Sequence, residues 1–107
     1  MEFDRADLAA ATAPLARARS MPAGFYTDPA VFDLEREHIL LQRWFFTCRE
    51  EMVPNAGDYR SFETVGGPIF LMRGADGILR AFANYCRHRG SLLVDGEGCT
   101  KRLICPY

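Results

Sequence analysis

The sequence predicts a mainly β chain: an antiparallel domain behind an N-terminal helical lead-in. Three observations predict it. Tyr59-Arg60-Ser61-Phe62-Glu63-Thr64-Val65 alternates with period two, as a half-buried strand does. Gly66-Gly67 and Ala75-Asp76-Gly77 then punctuate the chain as hairpin turns do. Upstream, Val31, Leu34, His38 and Leu41 recur at helical spacing.

Each element follows in order. Residues 1–24 read as a peripheral arm. Ala6 to Arg19 is Ala-rich and helix-capable, Pro14 interrupts it, and Met21-Pro22-Ala23-Gly24 is a break. A helical lead-in is expected over residues 25–48. Asp28 can cap free backbone N–H groups, and Pro29 suits the first helical position, so a helix is expected from about 29 to 43. Asp33, Glu35, Arg36 and Glu37 supply its wet face, while Trp44-Phe45-Phe46-Thr47-Cys48 is β-prone and expected to be buried. The β domain occupies 49–107. It opens on the turn Pro54-Asn55-Ala56-Gly57-Asp58 and continues with strands at Tyr59–Val65, Ile69–Arg73 and Ile78–Ala83. A loop bearing Cys86 and His88 follows, then a long loop through Asp95-Gly96-Glu97-Gly98. A last strand, Lys101 to Ile104, delivers Cys105.

Composition narrows the function. The 107 residues suffice for one modest core, with 49% apolar and 25% charged residues and a formal net charge of -1. The net charge leaves no excess of positive charge to attract nucleic acid or an anionic membrane, and the basic residues are scattered apart from small groups such as Arg87/Arg89 and Lys101/Arg102. No apolar run approaches the roughly 18–20 residues that span a bilayer. Met1-Glu2-Phe3-Asp4-Arg5 lacks the basic-then-apolar order of a secretory signal. A cytoplasmic protein is expected, with Cys48, Cys86, Cys99 and Cys105 kept as thiols unless a metal takes them.

Metal chemistry is the better test of those cysteines. Cys86-Arg87-His88 places a thiolate and an imidazole two residues apart, so both side chains point the same way from one extended loop. A second loop carries Cys105-Pro106-Tyr107, and sixteen residues, 89 to 104, lie between His88 and Cys105. A Rieske centre holds one iron by two thiolates and the other by two imidazoles. Cys86, His88 and Cys105 fit the first three positions of Cys-x-His, a gap of 15 to 17, then Cys-x-x-His. The fourth would be residue 108.

On these residues the chain resembles the large (alpha) subunit of aromatic-ring-hydroxylating and related Rieske non-haem iron oxygenases. Asn84-Tyr85-Cys86-Arg87-His88-Arg89-Gly90 and Ile104-Cys105-Pro106-Tyr107 carry the resemblance. Phe25-Tyr26-Thr27-Asp28-Pro29 and Pro54 to Tyr59 extend it over about residues 22–107. Ser91 and Tyr107 stand where respiratory Rieske proteins place their bridging cysteines. The resemblance implies an antiparallel Rieske-type iron–sulfur domain, incomplete at its C-terminal edge, and a 2Fe–2S cluster on Cys86, His88 and Cys105. Arg87, Arg89, Gly90, Pro106 and Tyr107 would surround it. Gly90 would let the loop turn, Pro106 would stiffen the second loop, and Arg87 and Arg89 would favour the reduced cluster. A reductase or ferredoxin would donate electrons. They would pass to a mononuclear Fe(II) in a C-terminal domain beyond this chain, across subunits of a homotrimer.

Two rivals remain at this level. A zinc-stabilised binding module could use Cys86, His88, Cys99 and Cys105, although Cys-x-His departs from the usual Cys-x2–4-Cys spacing. A metal-free fragment is the other, because the fourth ligand falls outside the chain. Cys48 reads as a small buried hydrophobe, Cys99 as a free thiol, and His38 as a packed histidine.

Overall fold

The computed structural model describes residues 4–107, so the start of the arm, residues 1–3, lies outside the described residues. The chain divides into two compact units, Met1–Trp44 and Phe45–Tyr107.

In the first unit, α1 spans Arg5–Ala11. The Asp4 carboxylate accepts from the Ala6 N–H at 2.8 Å, and the helix stops at Thr12, just before Pro14. A single helical turn, α2 (Gly24–Thr27), leads into α3 (Pro29–Glu35). Asp28 caps α3 by accepting from the Ala30 N–H at 2.8 Å, with Pro29 in the first turn. The helix then widens into a π-helical turn, Arg36–Leu40, closed by Leu41 N–H donating to Arg36 C=O at 3.0 Å. The expected helix therefore ends at about residue 40, not 43. Only Val31 of its expected apolar stripe is buried; Leu34, His38 and Leu41 are exposed. Three short helices supply too little apolar surface within this unit to cover that stripe.

The second unit begins with an extended segment and a 3-10 turn, Glu50–Met52. Four strands follow: β1 (Asp58–Thr64), β2 (Gly67–Arg73), β3 (Leu79–Ala83) and β4 (Glu97–Cys99). They form one antiparallel sheet in the order β3-β2-β1-β4. Thr64 pairs with Gly67, so Val65 and Gly66 make the turn, and the positive φ (111°) falls on Gly67. At the next turn the Asp76 carboxylate accepts from the Ile78 N–H at 3.1 Å while Gly77 takes φ 78°.

Two expectations fail here, each for a local reason. The strand expected at Lys101–Ile104 is absent, and the glycine-rich run read as a loop supplies β4 instead. Gly98 lies under Tyr59, where a Cβ would meet the phenol oxygen at 2.6 Å, so the lack of a side chain is what admits the strand. After β4 the Thr100 hydroxyl bonds both the C=O (2.7 Å) and the N–H (3.2 Å) of Arg102, turning the chain out of the ladder. Trp44–Cys48 is neither strand nor buried: Trp44 is fully exposed and Phe46 is 79% exposed, because β1–β4 complete the sheet without this segment. Cys48 is half-buried.

Val53, Phe70 and Val94 form the buried core of this unit, and Phe82 stacks on Phe70 with ring centroids 5.2 Å apart. The Arg73 guanidinium straps the edges together, donating to Val53 C=O (2.7 Å) and Gly77 C=O (2.8 Å) and pairing with Glu50 (3.1 Å).

Candidate metal centre

The loop bearing Cys86 and His88 leaves β3 through Asn84, whose N–H donates to Pro68 C=O at 2.9 Å. The Asn84 side chain is 1% exposed and turns back on the far end of the loop. Its amide donates to Val94 C=O at 2.8 Å, and its oxygen accepts from the N–H groups of Leu93 (3.1 Å) and Val94 (3.0 Å). Inside this closure lies a smaller one. Cys86 N–H donates to Ser91 C=O at 2.7 Å, and Gly90 N–H donates to Cys86 C=O at 2.8 Å. Gly90 takes φ 68°, a left-handed value that a Cβ would oppose.

The chemistry gathers at the Cys86 sulfur. The backbone N–H of His88, the Cys105 thiol and the backbone N–H of Arg89 lie close to it and favour its thiolate. Together they hold the Cys86 thiol below its ordinary value against a smaller opposing effect of burial. Cys86 and Cys105, expected as ligands from separate loops, are thus neighbours. A second contact joins the same loops: the Arg89 guanidinium sits 5.3 Å from the Tyr107 ring centroid. His88 is exposed, as are Arg87 and Pro106.

Among the described residues, no three or more of His, Cys, Asp and Glu converge as ligands of one metal ion. That counts against zinc on Cys86, His88, Cys99 and Cys105. Cys99 is occupied elsewhere, 3.8 Å from Ala56 C=O and beside the Asp58 carboxylate, which pushes its thiol pKa up. A binuclear cluster spreads its ligands over two metals and needs only pairs of donors. Two adjacent thiols, one already receiving N–H donors that favour the thiolate, fit such a cluster.

The Rieske [2Fe-2S] domain model matches residues 43–107, well over half of the chain. The chain belongs to the Rieske [2Fe-2S] domain family. It is 44% identical over 89 residues to the carnitine monooxygenase oxygenase subunit of Escherichia coli K12, covering 82% of this chain and 24% of that protein. It is 40% identical over 102 residues to the glycine betaine monooxygenase oxygenase subunit of Chromohalobacter salexigens, covering 91% and 23%. Among solved structures it superposes on a quaternary ammonium Rieske monooxygenase bound to gamma-butyrobetaine, with TM-score 0.80 and 37% identity, covering 84% of this chain and 26% of that one. The chain therefore spans about a quarter of the length of these relatives.

The Rieske fold and the 2Fe–2S cofactor stand as expected. Aromatic-ring hydroxylation, suggested by the resemblance, is too specific, because these relatives are named for quaternary ammonium compounds. Among the described residues no helix is long and apolar enough to cross a membrane. The residue that sequence reasoning missed is Asn84. In the sequence it is a flank of the Cys-x-His motif, yet in the structure it closes the 84–94 loop. An Asn just after a β-prone run was the available signal, since its amide competes with the ladder and favours loop contacts.

Proposed function

We propose that Cys86, His88 and Cys105 hold a 2Fe–2S cluster and that this chain relays electrons within a Rieske oxygenase. The two thiolates would take one iron and His88 the other, with a further imidazole expected two residues beyond Pro106. The cluster supplies one-electron transfer. The observation that carries the reading is the meeting of the Cys86 and Cys105 thiols where the His88 and Arg89 N–H groups converge.

Each neighbour has a task in this reading. The N–H groups of His88 and Arg89 stabilise negative charge on the Cys86 sulfur. The guanidiniums of Arg87 and Arg89 favour the reduced, more negative state. Arg89 on Tyr107 and the left-handed Gly90 keep the two loops in register.

For the whole protein we infer an oxygenase acting on a quaternary ammonium compound, in keeping with relatives named for carnitine and glycine betaine. A reductase or ferredoxin would be its electron donor and a homotrimer its assembly. A mononuclear Fe(II) outside this chain would be the electron acceptor, and the cytoplasm its compartment. Reconstitution tests the cluster reading. Anaerobic loading should give iron and labile sulfide in equal amounts, and His88→Ala or Cys86→Ser should lose most of both. Equal retention in those variants would refute the assignment. Oxygen uptake by the full-length protein with gamma-butyrobetaine and with an aromatic acid tests the substrate class.

A further inference from the structure

The ligand loop is closed by a side chain that touches no ligand. Asn84 is the one buried polar residue in the core of its unit, and all of its bonds run to the loop ends: Val94 C=O, Leu93 N–H and Val94 N–H. Its own N–H anchors the near end to Pro68 on β2. The far end is pinned because Val94 is itself core. The 84–94 segment is thus a lasso whose knot is one carboxamide, and Cys86 and His88 ride on it.

We propose that Asn84 is a positioning residue that fixes the shape of the loop carrying Cys86 and His88 and, through it, the reduction equilibrium of the cluster. This rests on the ligand assignment proposed above. Inside this closure Cys86 N–H is bonded to Ser91 C=O at 2.7 Å and Gly90 N–H to Cys86 C=O at 2.8 Å, so the peptide planes from Cys86 to Gly90 keep their direction only while the lasso is closed. Hydrogen bonds to the sulfurs stabilise the reduced cluster, so slackening the loop makes reduction harder. A neutral carboxamide supplies the N–H donor for Val94 C=O and the acceptor for the Leu93 and Val94 N–H groups without bringing charge into the core.

Two variants and one control form the test. Asn84→Ala removes all three side-chain bonds. Asn84→Asp retains the acceptor for Leu93 and Val94 but loses the donor to Val94 C=O. Val53→Ala is a control that opens the same core at a residue outside the 84–94 segment. Amide hydrogen exchange on the metal-free chain is read first. Asn84→Ala should lose protection at Cys86, Gly90, Leu93 and Val94 while β1 and β2 amides stay protected, and Asn84→Asp should lie between. Redox titration of the reconstituted chains is read second. The reduction equilibrium constant should fall about tenfold in Asn84→Ala, near 59 mV for one electron, with altered EPR line shape, and should hold in Val53→Ala. An unchanged titration in a folded Asn84→Ala overturns the proposal. So does an equal shift in Val53→Ala, or loss of sheet protection in both Asn84 variants, which would make Asn84 a determinant of the whole domain. Failure of the unsubstituted chain to take up a cluster would instead refute the ligand assignment, and the exchange result would stand apart from it.

Discussion

Gly57 shows how much a single residue decides. It takes φ 92°, and a Cβ there would come within 2.6 Å of Thr100 C=O. The same peptide receives Thr100 N–H at 2.9 Å, so the backbone contact that docks the second loop onto β1 depends on the absence of a side chain. Gly57→Ala should destabilise the β unit by about 2 kcal/mol, combining left-handed strain with a clash against backbone. A thermal melt beside that of Gly67→Ala, where the added Cβ meets nothing, separates the clash from the strain. Asp76 gives a prediction in pH. Its carboxyl is lowered from 3.8 to about 2, first by the Arg80 side chain and then by the Ile78 N–H. A depressed folded-state value adds stability that is fully present above about pH 4 and fades as pH falls toward 2. The pair is exposed, so the effect is small and weakens with salt. In urea titrations, Asp76→Asn should flatten the acid limb slightly at low salt and leave it unchanged in 1 M salt.

At the scale of elements, alternation made β1 and β2 legible, and the Asp28-Pro29 start of α3 was legible from capping chemistry. The failures share a cause: their structure depends on partners outside the local window. Glu97-Gly98-Cys99 has poor strand chemistry and becomes β4 because β1 offers an open edge and Tyr59 covers Gly98. Trp44-Phe45-Phe46 has good strand and core chemistry, yet it pairs with no strand and is exposed. Arg73 belongs to this scale as well, since one guanidinium ties the 3-10 turn, the β2–β3 turn and β2. Arg73→Ala should cost roughly 1–2 kcal/mol, chiefly by stranding the carbonyl of buried Val53. Arg73→Lys should recover only part, because an ammonium cannot span the same fork. Paired denaturant melts check both.

For the whole molecule, the sequence motif marked the candidate ligands, and the fold brings two of them, Cys86 and Cys105, together. Cys86 and His88 share a loop by spacing alone, so their kinship was readable. That Cys105 would reach the Cys86 sulfur depends on β4 returning to β1 and on Thr100 turning the chain outward. The anchors of that geometry, Asn84 and Gly57, carry no metal-binding chemistry and so gave no motif. Family membership and the meeting of the two thiols agree on one account: a mixed Cys/His cluster carried by a four-stranded antiparallel sheet. The most direct test is an EPR spectrum of the anaerobically reconstituted, dithionite-reduced chain. The account predicts a rhombic Rieske signal that disappears in His88→Ala. A spectrum typical of an all-cysteine cluster, unchanged in His88→Ala, or EPR silence from a colourless protein holding zinc, would contradict it.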